Sequence, residues 1–457
     1  MMRKSSHTLA LCLVVLVALM LLGPGSSRAG QPLGPVKLLS TVAVPVSATN
    51  KTAGMYSFDI SWVDPMTGTY YLADRSNQAV DVVAAETIVT QIVPSDGFAP
   101  FAGAKACSPP AGANDCAGPN GVVAAFPWLF VTDAPSRVLT IDLRTGQTVS
   151  EVFTKDNEPT RADELAYDPQ DGLILVINNA ADPPFGTLLQ VDQTTGALTR
   201  GTQILFDAAH GVDATNGAEQ PVWDPGTGKF YLSIPEIGGG SGGVPTGTNL
   251  HGAVLRISTT GEVEATYPVD FCGPAGLALG PNENLLVGCN TVFDELGNKW
   301  TTNADRETHT AAPQYVILDA VTGTTVANVT GVGAGDEVWF NPGDSHYYTA
   351  SSGSPLVPLA ITPARPPLGT ATAAPPLTAQ GAAILGVIDA LSKTVEQLVP
   401  TFNVPAVVAP DSNPHPAGTA HSVAANAETN HVFVPIAANN VFPDCVTGCI
   451  AVYGRSD

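Results

Sequence analysis

Four acids stand at one fixed offset from a turn proline. Asp59, Asp163, Glu219 and Asp336 each lie six residues before Pro65, Pro169, Pro225 and Pro342. The same offset from Pro281 gives Ala275, and from Ala427, which replaces the proline in a further copy, it gives His421. One residue later come Ile60, Glu164, Gln220, Gly276, Glu337 and Ser422. If the copies share one fold, equivalent side chains converge although they are spread along most of the chain. Clustered carboxylates repel one another, and some stay protonated unless a cation sits among them. That chemistry suits a divalent ion held by Glu219, Asp163, Asp336 and Glu164. Oxygen ligands favour Ca²⁺ or Mg²⁺ over Zn²⁺ or Mn²⁺, which His421 keeps open. His421 or Asp59 would act as general base. Arg75 is a rare cation that could hold a substrate carboxylate, with Gln220, Glu337 and His415 (in NPHPAG) as further substrate contacts. The structural alternative stays open, since acids at such positions also bond to neighbouring backbone N–H groups.

What must position these side chains is a repeated hairpin. AEQPVWDPGTGKFYLSIPE, residues 218–236, contains a short strand, a turn and a returning strand rich in aromatic and β-branched residues. Proline presets φ in the turn, and glycine takes the positive φ that the connection needs. Asp64, Asp168 and Asp224 belong to these turns and read as structural. Related copies begin near residues 59, 163, 275, 336 and 421, and a degenerate one occupies 120–133 (NGVVAAFPWLFVTD). Each is followed by a third strand, among them RVLTIDL (137–143), QYVILD (314–319) and CIAVYG (449–454). Seven four-stranded units of this kind predict an all-β chain folded as a seven-bladed β-propeller. Residues 36–46 form a strand without a hairpin partner, placed to close the ring against the last blade and so remove a sheet edge. Inner strands of a propeller line its central channel, so the acids should ring the channel mouth.

Residues 1–29 read as a secretory signal peptide: Arg3 and Lys4, an apolar run from Leu9 to Leu22, and small residues before a cut after Ala29. Residues 30–457 then form a single domain, soluble and either secreted or periplasmic. Insertions near 101–120, 236–250 and 352–381 should decorate one face and could bind a protein partner. The formal net charge is −22, and it becomes more negative when the signal leaves. Such a surface repels nucleic acid and anionic lipid, so the partner expected is a small molecule. Beyond Cys12 six cysteines remain, an even number that suits disulfides in an exported chain. The local pairs 107–116, 272–289 and 445–449 are the economical choice.

Residues 218–233 (AEQPVWDPGTGKFYLS) resemble the E-G-P-x-W-D-x-x-x-G-x-L-Y-F-x-D segment of the SMP-30/gluconolactonase propellers. That resemblance implies a metal-ligating role for Glu219, with Trp223 packed behind it. CGPAGLALGPNENLLVG is similar to the P-D-G-L-A-x-D strand of the same superfamily, but Ala275 stands where that pattern has its Asp. The repeat layout also resembles the secreted YncE/YVTN-type propellers. Two functions follow as expectations: a metal-dependent hydrolase of lactonase or esterase type, or a lyase; and, alternatively, a non-catalytic ligand- or protein-binding propeller.

Overall fold

A turn repeated around an axis organises this protein. In the first copy Asp64 Oδ1 accepts from Met66 N at 3.0 Å, and in the fourth Asp224 Oδ1 accepts from Gly226 N at 2.8 Å. Asp168, Asn341 and Asn426 do the same for Gln170, Gly343 and Glu428. Three residues past the turn proline the backbone is left-handed each time: Gly68, Gly172 and Gly228, then Ser345 and, beyond Ala427, Asn430. Glycine is favoured there because it lacks the Cβ that makes this region costly. Asn tolerates the conformation better than most residues.

The computed structural model describes residues 34–95, 97–105, 107, 114–238, 251–293, 299–300, 314–333, 335–354, 382–401, 407–408, 414–415, 421–439 and 444–455. The expected signal peptide, most of the 236–250 and 352–381 insertions and the His415 side chain lie outside them. Pro35–Asp457 form one compact unit, built as seven antiparallel blades of four principal strands each.

Blade one is Ser61–Val63, Tyr70–Asp74, Ala79–Ala84 and Ile88–Ile92. Blade two is Val122–Ala125, Trp128–Asp133, Arg137–Asp142 and Gln147–Phe153. Blade three is Leu165–Asp168, Leu173–Asn178, Phe185–Val191 and Leu198–Leu205. Blade four is Pro221–Asp224, Lys229–Ile234, His251–Ile257 and Val263–Asp270. Blade five is Cys272–Leu279, Asn284–Phe293, Gln314–Asp319 and Thr325–Thr330, with Lys299–Trp300 as a side pairing. Blade six is Gly335–Asn341, His346–Ser354, Ala382–Asp389 and Thr394–Pro400. Blade seven is Ala424–Asn426, His431–Ile436 and Cys449–Arg455, and its fourth strand is Val36–Ala43 from the other end of the chain. That last pairing runs from Val36 opposite Arg455 to Ala43 opposite Cys449, so the orphan strand closes the ring.

The core lies between blades, where the two faces of neighbouring sheets meet. Tyr70 stacks on Phe433 with ring centroids 4.9 Å apart, joining blade one to blade seven. The three expected disulfides are present: Cys107–Cys116, Cys272–Cys289 and Cys445–Cys449. Such cross-links belong to an oxidising compartment. Among the described residues no helix is long and apolar enough to cross a membrane.

Closure makes a direct prediction. Removing the chain through Ala43 leaves Cys449–Arg455 as an unpaired edge and takes away buried Val36 and Val42, uncovering Tyr453 and Ile450 with which they pack. Size exclusion and light scattering should then show oligomers or aggregate in place of monomer, with a lower melting temperature. A truncated chain that stays monomeric and equally stable would show that this strand contributes nothing to the ring.

Candidate functional site

Equivalent residues on the inner strands do converge, and the backbone fixes how. The residue at the ring position donates its N–H to the second strand of its own blade. Asp59 N bonds Ala73 O at 2.9 Å, Asp163 N bonds Ile177 O at 2.7 Å, and Glu219 N bonds Ser233 O at 2.9 Å. Asn120 N bonds Thr132 O at 2.9 Å in the same way, which identifies Asn120 as the ring residue of blade two. A cavity of 440 Å³ opens at this mouth, lined by Asp59, Asp163, Glu164, Glu219, Asp336 and His421 together with Arg75 and Arg161.

These groups form a chain of charge. His421 places Nε2 2.8 Å from Asp59 Oδ1 and Nδ1 2.9 Å from Asp336 Oδ2. With a carboxylate on each nitrogen the ring is an imidazolium. Burial works against that charge, but Asp336 and Asp59 outweigh it and raise the His421 pKa well above the usual value. Asp59 is also paired with Arg75 Nη2. Burial would raise the Asp59 carboxyl, yet the Arg75 guanidinium and His421 hold it well below the usual range. Arg75 Nε continues to Asn120 Oδ1 at 2.9 Å, and Asn120 Nδ2 donates to Ala162 O at 2.8 Å. One polar chain therefore runs from blade six through seven, one and two to the entry of blade three.

Blades three and four carry the remaining charge. Arg161 Nη2 pairs with Asp163 Oδ2 at 2.8 Å. Burial nevertheless raises Asp163 to about 6, with Arg161 lowering it and Asp59 raising it. Burial and the neighbouring Asp163 and Glu219 push Glu164 well above its ordinary value. Glu219 is raised likewise by burial, Asp336 and Asp163. Asp163 Oδ1 and Glu164 Oε2 have no hydrogen-bond partner among the described residues. Protonated carboxyls and three cations thus balance the cluster.

The positions one residue along the strand do a different job. Gln220 Oε1 accepts from Leu277 N at 2.7 Å, tying blade four to five. Glu337 Oε2 accepts from Val423 N at 2.9 Å and contacts Ser422 Oγ, which lies 2.6 Å from Ser61 Oγ. These two expected substrate contacts are braces between blades and do not line the mouth cavity. Arg75 does line it, but its guanidinium is committed to Asp59 and Asn120. His415 lies in a short strand, Pro414–His415, paired with Val407–Val408, and its side chain is outside the described residues.

The expected divalent ion meets a poor fit. Among the described residues no group of three or more His, Cys, Asp or Glu is arranged to hold a metal. His421 has no free nitrogen lone pair, and guanidinium groups already occupy Asp59 and Asp163. Two residues of this site were missed from sequence. Asn120 belongs to the copy whose turn lacks the Asp-Pro signature. Arg161 has no equivalent in the other copies, although a cation two residues before a ring acid was a readable signal in so acidic a chain.

The Glu337 brace generates a pH prediction. Burial raises its carboxyl from 4.5 to about 8, with Ser422 lowering it. The folded state therefore holds a proton that the unfolded chain releases, and stability falls as pH rises from about 4.5 through 8. Melting temperatures across that window should fall less steeply in Glu337→Gln, which keeps an acceptor and carries no charge. Parallel curves for both proteins would show that Glu337 does not titrate there.

Comparison with known proteins places this geometry on a familiar scaffold. No family model matches the chain, and no curated protein matches it. Many chains of solved structures do. One, in the "Crystal Structure of Mitotic Checkpoint Complex", aligns with a TM-score of 0.55 and 10% identity, covering 97% of this chain and 99% of that one. At that identity the likeness is of fold alone, and the fold is the seven-bladed β-propeller.

Proposed function

We propose that the channel mouth is a binding site for a small polar molecule and that its chemistry is general acid–base catalysis, as a hydrolase or lyase. The observation that carries this reading is the placing of Glu219 and Asp336, two carboxyls in different surroundings, in one 440 Å³ cavity. Glu219 is held as a neutral acid, able to protonate a leaving group. Across the gap left by Ala275, Asp336 accepts from His421 and is among the more exposed ring carboxyls, with 36% of its side-chain surface open. It is the natural base, and His421 fixes its orientation. The protein would be exported, which the three disulfides support. The lactonase-type metal mechanism is the less supported form of this reading, because Arg161 and His421 already pair with Asp163 and Asp336, two of the four acids a metal would use.

A second reading is a non-catalytic ligand- or protein-binding propeller. It is favoured by the commitment of Glu337, Gln220 and Asn120 to bonds between blades, which leaves fewer groups free for chemistry.

A panel of esters, lactones and elimination substrates separates the readings. The acid–base site should turn over at least one class in the presence of EDTA. Asp336→Asn and Glu219→Gln should each lower kcat/KM by about 10²–10⁴-fold while leaving the circular-dichroism spectrum unchanged. Activity that disappears with chelation and returns with one divalent ion would establish the metal mechanism instead. Binding of a ligand without turnover would establish the second reading.

A further inference from the structure

A second cavity, of 460 Å³, borders the first and has the opposite character. It is lined by Thr49, Lys51, Thr52, Arg75, Ser76, Gln78, Ala102, Gly103, Ala104 and Lys105. No acid is among them, in a protein where 41 acidic residues face 19 basic ones. Among the described residues the two lysines have no carboxylate partner, as is also true of Lys37 and Lys393. Arg75, Arg137, Arg144, Lys155, Arg161, Arg200, Lys229, Arg256 and Arg455 are all ion-paired. Lys51 and Lys105 are not, and both flank this one cavity. Arg75, 3% exposed, separates it from the channel mouth. Its Nη2 and Nε are used by Asp59 and Asn120, while Nη1 has no hydrogen bond to the described residues.

The walls are held in place by the turn that carries Arg75. Asn77 is fixed by Asp74, whose Oδ1 accepts from Asn77 N at 3.0 Å. It then holds the first wall: its Oδ1 accepts from Ser47 N at 2.9 Å and Asn50 Nδ2 at 2.8 Å. Gln78 holds the second, donating Nε2 to Phe101 O at 2.8 Å. That wall is fixed twice more, by Ala102 N to Asp133 Oδ1 at 3.1 Å and by a bridge between Gly103 and Gly118. Gly103 has φ +76, and a Cβ there would come within 2.8 Å of Gln78, so the close approach of wall and turn requires glycine. Two successive residues of the turn that carries Arg75, Asn77 and Gln78, thus set both walls. This pocket is built before any ligand arrives.

From this geometry we infer that the Lys51–Lys105–Arg75 cavity binds an oxyanion, a carboxylate or phosphate group, of a small hydroxylated molecule. Two ammonium groups and the open edge of a guanidinium supply charge-assisted donors, while Thr49, Thr52 and Ser76 line the same cavity with their hydroxyl protons engaged on Asn77 O, Asn50 Oδ1 and Ser57 O. Because Arg75 also borders the channel mouth, the anion would be the anchoring end of the molecule whose body reaches Asp336 and Glu219. That second statement rests on the acid–base reading, whereas the anion site itself does not.

Calorimetric titration of the purified chain at low ionic strength tests it, with inorganic phosphate in one arm and succinate in the other. At least one should bind saturably with 1:1 stoichiometry, and the tighter of the two assigns the group. The double variant Lys51→Gln/Lys105→Gln should weaken binding about tenfold or more. Both side chains are exposed, so the variant should keep the parent melting temperature. His421→Gln should leave anion binding intact, which separates this site from the acid–base reading. No saturable heat with either anion up to about 10 mM, a concentration that would reveal even Kd values near 1 mM, would overturn the proposal. Binding that the double variant does not weaken would overturn it too.

Discussion

Charge compensation on the axis is the constraint from which the rest of this molecule follows. A ring of equivalent positions brings side chains from opposite ends of the sequence into one small volume. Acids so assembled cannot all ionise in a buried site without cations among them. Here the answer is internal: an imidazolium wedged between two carboxylates, two guanidiniums on their own partners, and protons on the carboxyls left over. The same bonds that neutralise the cluster cross from blade to blade, so the electrostatics of the mouth and the integrity of the ring are one arrangement. Blade two contributes the neutral Asn120 to this ring and blade five contributes Ala275, which leaves an opening in it.

Below the charged mouth the channel changes in kind. The next layer, Gln220, Glu337 and Ser422, bonds across blade boundaries. Beyond it lies a smaller cavity of 200 Å³, walled by Trp62, Tyr167, Trp223, Trp339 and Phe340. Trp62 meets Trp339 edge-on at 4.9 Å and donates its Nε1 to Ala124 O. A polar upper layer, a hydrogen-bonded waist and an aromatic floor give the hub its rigidity. Each layer follows from one residue step along the inner strands.

The fold was legible because its turns carry a mechanism. An Asp or Asn that accepts from the backbone two residues on, a proline and a left-handed position mark four hairpins, a fifth keeps all but the proline, and the strands between them followed by pattern. Third strands were found to within about two residues, the usual uncertainty at element ends. The site was legible only where the repeat was clean. Counting from the proline located Asp59, Asp163, Glu219, Asp336 and His421, but blade two hid Asn120 behind a turn of different chemistry. Arg161 was missed because it belongs to one copy alone, and repetition was the tool that found the others. Gln220 and Glu337, expected as ligand contacts, bond to neighbouring blades for a physical reason. A one-residue step along a strand turns the side chain to the other face of the sheet, where the neighbouring blade is waiting.

Joining Val36–Ala43 to Cys449–Arg455 also sets a timetable for the chain's manufacture. This strand has no partner until residues 449–455 have been made, so it must wait, half apolar, while the six blades between are synthesised. Six blades can fold as local meanders while this happens. The seventh depends on two segments at the greatest sequence distance the protein contains, and contacts of that kind form late. The buried charges of the hub, which involve blades six, seven and one together, can reach their final environment only when that joint is made.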